Sequence, residues 1–176
     1  CPTCGMALEP MGIPRADAGP DPELVDFTRR FIIGAVLTMP LLVVAMGAMA
    51  GLPVKTWLGS NAAGWVELLL AAPVVLWCGW PFLERGARSI RTGYLNMFTL
   101  IALGVSAAFL FSIAAVIAPG IFPDGFRQAD GTVSLYFEAG AVIVVLVLLG
   151  QIMELRARER TGAALRALLD LAAKIS

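Results

Sequence analysis

Four stretches of this chain stay apolar long enough to cross a hydrocarbon layer, and polar or turn-forming residues separate them. They run from Phe31 to Ala50, Ala62 to Pro81, Met97 to Ala118 and Val133 to Met153. Each reaches the roughly 20 residues that a helix needs to span about 30 Å of bilayer core. The pattern predicts an all-α membrane protein with four transmembrane helices. Asp21-Pro22-Glu23 joins a capping carboxylate to a first-turn proline, so the first helix should begin in water and carry Arg29 and Arg30 toward lipid. Asn61 and Asn96 stand where they can cap the second and third helices. Asp130-Gly131-Thr132 supplies a turn and a cap ahead of the fourth.

Two elements go beyond a simple span. Trp77-Cys78-Gly79-Trp80-Pro81 is followed by an apolar and basic mixture that includes Phe82, Leu83, Arg85, Arg88, Ile90 and Arg91. Glycine with proline two residues on predicts a kink, after which the second helix continues as an amphipathic platform along the interface. Its arginines then face lipid headgroups or a docking partner; an ordinary helix end with snorkelling arginines is the plainer alternative. Past Met153 an apolar stripe runs on through Leu155, Leu165 and Leu171, which predicts an extension of the fourth helix into water.

Composition agrees with lipid as the solvent. Hydrophobic residues make up 59% and charged residues 15%, and mean hydropathy is +0.82, far from the balance of a water-soluble domain. Net charge is zero, so nothing argues for nucleic acid as a partner. Distribution says more than the sum. Arg15, Arg29, Arg30, Arg85, Arg88, Arg91 and the basic residues from Arg156 to Lys174 fall on one side of the four-span scheme, against Lys55 and Arg127 on the other. The positive-inside rule then puts both termini in the cytoplasm; the expected location is the cell's inner (plasma) membrane, multi-pass. Trp65 falls near the outer interface; Trp77, Trp80 and Tyr94 fall near the inner one. The chain opens on Cys1 with no signal peptide ahead of it, as expected of an excised piece.

Candidate chemistry sits at the ends of the third and fourth spans. Glu138 and Glu154 bracket the run Ala139 to Met153, and carboxylates at such places usually serve an ion path. Sixteen residues at about 1.5 Å each separate them by roughly 24 Å, so they are two stations and not one site. Met97 opens the third span on the face where Glu154 closes the fourth. A thioether beside a carboxylate suits a soft monovalent ion such as Cu(I): sulfur gives affinity and the anion offsets charge. Methionine also fills gaps between helices, and Glu154 has an alternative partner in Arg158 at i+4. Glu138 should lie about a turn and a half inside the outer end, and Glu67 should be shallower, reaching the interface. Asn96, Ser106 and Ser112 are polar enough to bridge helices. Cys1 and Cys4 have metal-ligand spacing but cannot close a tetrahedral site alone, and Cys78 is a further soft donor.

With these residues in view, the chain resembles the amino-terminal membrane portion of the copper-exporting heavy-metal P-type ATPases. The likeness rests on Cys-Pro-Thr-Cys-Gly-Met-Ala-Leu-Glu-Pro at 1 to 10, Gly-Trp-Pro-Phe-Leu-Glu-Arg-Gly from 79, Asn-Met-Phe-Thr-Leu-Ile-Ala from 96, Tyr-Phe-Glu-Ala from 136, and Gly-Gln-Ile-Met-Glu-Leu-Arg-Ala-Arg from 150. It implies that residues 1–20 are the remnant of a Cys-rich cytoplasmic metal-binding segment. Residues 21–95 would be two class-specific helices with the platform. Residues 96–156 would be the first two core transport helices with an outer loop at 119–132, and 157–176 a stalk toward an actuator domain. It further implies that Met97 and Glu154 form the metal entrance, that Glu138 is the exit, and that Gly79, Pro81, Arg85, Arg88 and Arg91 build a platform for a copper chaperone. The transported ion would be Cu(I) or Ag(I), with ATP and Mg bound by the missing remainder of the parent protein. Three departures stand out: Cys78 replaces the first glycine of the usual Gly-Gly pair, Glu84 sits where the platform is commonly basic, and neither Cys-Pro-Cys nor Asp-Lys-Thr-Gly-Thr is present. The alternatives are a self-contained four-span metal-binding or scaffold protein and an oligomeric cation channel.

Overall fold

The computed structural model describes residues 21–47, 57, 59–127 and 132–175, with the side chains of the last helix described as far as Thr161. The described residues form a helical bundle with four helices long and apolar enough to cross a membrane: Pro22–Met46, Asn61–Cys78, Met97–Ile117 and Phe137–Thr161. The first, α1 (Pro22–Met46), starts as its sequence directs, with Pro22 in the first turn and the Asp21 carboxylate accepting the Glu23 N–H at 2.9 Å. Its inward face is Phe27, Gly34, Thr38, Leu41 and Val44, spaced at helical intervals. The second helix, α2 (Ser60–Ala72), is preceded by Gly59 with no side-chain cap. Asn61 therefore lies inside the helix and is not its cap: Gly59, at φ 81°, makes the turn that only glycine adopts freely.

The second span ends earlier than its apolar run suggested. Pro73 has no N–H to give to the preceding turn, and Pro73–Cys78 winds as a π-helix that closes with Gly79 N–H donating to the Val74 carbonyl at 3.0 Å. The chain breaks at Gly79, and α3 (Trp80–Thr92) follows, with Pro81 near its start. Gly93, at φ 74°, terminates it. Phe82 of α3 lies between Phe27 of α1 and Phe98 of the next helix, with ring centroids 6.0 Å away on each side. A hydroxyl chain seals the turn after α3: buried Ser89 donates to the Tyr94 carbonyl and accepts from Thr99 at 2.8 Å.

The next helix, α4 (Met97–Ile117), begins with a reciprocal cap in which Asn96 and Thr99 satisfy one another's backbone N–H groups. Two short 3-10 turns, Pro119–Ile121 and Asp124–Phe126, occupy the loop, and Val133 pairs with Arg127 in an isolated antiparallel bridge. That bridge holds Val133 extended, so α5 (Phe137–Ile175) starts four residues later than the hydrophobic run. Asp130 and Gly131, expected as turn residues, lie outside the described residues.

The core is where the helices meet, around Leu41, Val74, Val75, Phe82, Val105, Phe109, Phe137, Val144 and Leu148. The outer faces are apolar as well: Leu69 is 71% exposed and Leu100 77% exposed. Hydrocarbon makes such faces favourable where water would not. One contact is unusually close. A Cβ on Gly86 of α3 would stand 2.4 Å from the Ala102 Cβ and 2.8 Å from the Phe98 carbonyl oxygen of α4. We expect Gly86→Ala to destabilise the bundle by about 1–3 kcal/mol, seen as a lower thermal midpoint in detergent. An unchanged midpoint would mean that α3 does not lie against α4.

Candidate functional site

The bundle has two distinguishable ends. At one, α3 is tied to the start of α1 by the ion pair of Arg85 with Glu23, and α5 leaves the bundle beside Leu24 and Arg156. At the other end lie the loop between α4 and α5 and the start of α2, where Gly64 faces Val116 and Leu135.

Met97 and Glu154 both belong to the α3 end. Met97 is the first residue of α4, fixed by the Asn96 cap and the sealed turn from α3, and it is 59% exposed. Glu154 is exposed on α5, where it accepts from the Arg158 guanidinium at 2.6 Å and from the Gln151 amide at 3.1 Å. The alternative partner read from the sequence is thus present. The pair is exposed and i,i+4, worth about 0.3–0.5 kcal/mol, so it holds the carboxylate without locking it. Among the described residues no three His, Cys, Asp or Glu side chains cluster as a metal cage.

Glu138 marks the opposite end. It stands in the first turn of α5, not a turn and a half inside, because the helix begins at Phe137. The positive end of the helix dipole favours a carboxylate there. Its Oε2 atom is buried and has no hydrogen-bond partner among the described residues. The approach to it is rigid: Ser112 accepts the Tyr136 N–H at 2.8 Å, Phe137 meets Phe109 edge-on at 5.8 Å, and Tyr136 packs on Phe111 at 5.6 Å. Ser112 therefore bridges elements as its polarity suggested; Asn96 acts as a cap.

The remaining sequence candidates divide by exposure. Gly79 and Pro81 sit at the α2–α3 junction. Arg85 turns inward, reaching Glu23 and lying over the rings of Phe27 and Phe98 at 5.6 and 5.4 Å, so it fastens α3 to the bundle. Arg88 is held by Glu84 at 2.8 Å, and with Arg91 and Trp80 it borders an open crevice of about 420 Å³. Cys78 is fully buried, its sulfur 3.5 Å from where a Gly34 Cβ would be, so close approach of α1 encloses it. Cys1 and Cys4 lie outside the described residues.

The buried positions of Glu67 and Thr38, like those of Ser89 and Thr99, escaped the sequence reading. Glu67, expected at the interface, is 1% exposed and points into the bundle. The signal was available: Glu67 shares a helical face with Ala63, Gly64, Ala71 and Val74, the small or apolar residues over which neighbouring helices close. Thr38 is buried on α1, its hydroxyl without a hydrogen-bond partner among the described residues. A lone threonine in an apolar run gives no such signal.

Comparison with known proteins finds no matching family model but several strongly similar relatives. The chain is 58% identical over 174 residues, 99% of its length, to a copper-transporting P-type ATPase of Rhizobium leguminosarum bv. viciae. It is 53% identical over 97% of its length to a copper-exporting P-type ATPase of Legionella pneumophila, and 51% identical over 99% to a silver exporting P-type ATPase of Salmonella typhimurium. It spans 21%, 23% and 21% of those relatives, about a fifth of each.

Proposed function

We propose that this chain, which belongs by sequence with the copper- and silver-exporting P-type ATPases, is the part of such a pump that admits Cu(I) or Ag(I) at one membrane face and helps release it at the other. The near end-to-end match at 58% identity carries this reading. Met97 and Glu154 serve as the entrance. The thioether takes the soft cation as it leaves its carrier, and the carboxylate, held loosely by Arg158, offsets the charge. Glu138 receives the ion at the far end, where its buried oxygen, without a hydrogen-bond partner among the described residues, is available to a cation.

Under this reading the α3 end faces the cytoplasm and the protein lies in the plasma membrane, in keeping with the arginine asymmetry. The crevice bordered by Trp80, Arg88 and Arg91 is the landing place for a copper chaperone, with Arg85 anchoring the helix from beneath. ATP hydrolysis with Mg2+, through an aspartyl phosphate, falls to other parts of the pump, since these 176 residues hold no Asp-Lys-Thr-Gly-Thr. Residues beyond Glu154 continue as the helix that couples to an actuator domain.

The test is ion selectivity of the intact protein. ATP hydrolysis should rise with Cu(I) or Ag(I) and not with Zn(II), because the entrance offers thioether sulfur and a single carboxylate in place of a closed nitrogen and thiolate set. Equal stimulation by Zn(II), or none by Cu(I) and Ag(I), would reject the assignment.

A further inference from the structure

The α3 end carries a second feature that ion transport does not use. Between the first turns of α1 and the emerging part of α5 lies a crevice of about 470 Å³, walled by Leu24, Val25, Ile32 and Ile33 and flanked by Arg29 and Arg156. Side chains on a helix lean toward its N-terminus. Because α1 and α5 run in opposite directions, Arg29 leans toward the α3 end and Arg156 leans away from it, so the two converge on the crevice.

No described carboxylate pairs with either arginine. Arg30, Arg85, Arg88 and Arg158 each have a carboxylate partner. Arg29 and Arg156 have none among the described residues; Arg29 lies over the Trp77 ring, at 5.8 Å, which leaves its charge in place. Below Arg29 an exposed apolar strip continues along one face of α1 through Ile32, Val36, Met39 and Val43. From Ile32 to Val43 the strip is roughly 16 Å long, about half of a hydrocarbon core of roughly 30 Å.

We propose that this crevice holds one anionic phospholipid, its phosphate between Arg29 and Arg156 and an acyl chain along the α1 strip. Two converging cations above an apolar track one leaflet deep match that ligand in charge and in length. A basic recess between helix ends at a membrane face is a recurrent setting for such headgroups. The lipid would pin the start of α1 to α5 at the point where α5 leaves the membrane. This rests on the membrane reading of the four spans and not on which ion is moved, so a failed metal assay leaves it standing.

The experiment uses the full-length protein, purified in mild detergent, with native mass spectrometry counting retained phosphatidylglycerol and phosphatidylcholine. Wild type should hold phosphatidylglycerol, and the R29Q/R156Q variant should hold it roughly thirtyfold more weakly, the combined effect of two arginines at a charged surface. Phosphatidylcholine retention should not change, and millimolar inorganic phosphate should not displace the lipid. Equal retention by the variant, or displacement by phosphate, would overturn the proposal, the latter by making the crevice a free-anion site. Should the variant fail to fold, wild type photolabelled with phosphatidylglycerol carrying an acyl-chain diazirine decides the matter. Label is expected on Ile32, Val36 and Met39; its absence there, as when another segment of the pump covers the strip, would refute the site.

Discussion

Replacing Glu154 with alanine in the intact pump is expected to lower metal-stimulated ATP turnover about ten- to hundredfold, and Met97→Ala should act in the same direction. A charge-compensating group contributes about 1.5–3 kcal/mol, which converts to that range in rate. Glu154 also pairs with Arg158 at 2.6 Å, so loss of a helix-surface ion pair offers a competing explanation. Arg158→Gln separates the two. An exposed i,i+4 pair is worth about 0.3–0.5 kcal/mol, and that variant should stay within about twofold of wild type. If R158Q and E154A were equally impaired, Glu154 would be a structural partner and no entrance.

The second large effect is expected at the α2–α3 break. A Cβ on Gly79 would lie 2.4 Å from the Val75 carbonyl oxygen and 3.2 Å from the Val144 side chain. The first of these is backbone and cannot give way without reopening the π-helical turn. Gly79→Ala should therefore destabilise the bundle by about 3 kcal/mol, the upper end of ordinary overpacking. The neighbouring Cys78, fully buried against α1, reports on the same event. In a background without Cys1 and Cys4, maleimide should label Cys78 slowly in wild type and much faster in G79A. Equal labelling in both would show that the break does not depend on glycine.

Particular residues explain how far the sequence was legible. The four spans follow from long apolar runs that a single carboxylate, Glu67 in the second or Glu138 in the fourth, does not break, and a bilayer leaves few structures other than helices for them. Asp21 and Asn96 read correctly because their side chains cap from within the local sequence. Asn61 failed because Gly59, through its positive φ, turns the chain earlier than any side chain could. Val133 failed because its partner Arg127 is across a loop, which hydropathy does not register. In the site, the separation of Met97 and Glu154 from Glu138 was a matter of counting residues along helices. The depth of Glu67 needed the choice of face as well as the count, and the small residues Ala63, Gly64 and Ala71 mark that face. The inward turn of Arg85 toward Glu23 is a tertiary event that amphipathic patterning assigns to the surface.

The central claim is that a soft cation passes from the Met97 and Glu154 end to Glu138. The most direct measurement is Cu(I) accumulation by inverted membrane vesicles containing the full-length protein, with ATP supplied outside. Wild type should load the vesicles, E154Q should fail to take the ion up, and E138Q should bind metal but release it slowly, so that both variants accumulate little. Normal accumulation with both glutamates neutralised would contradict the account.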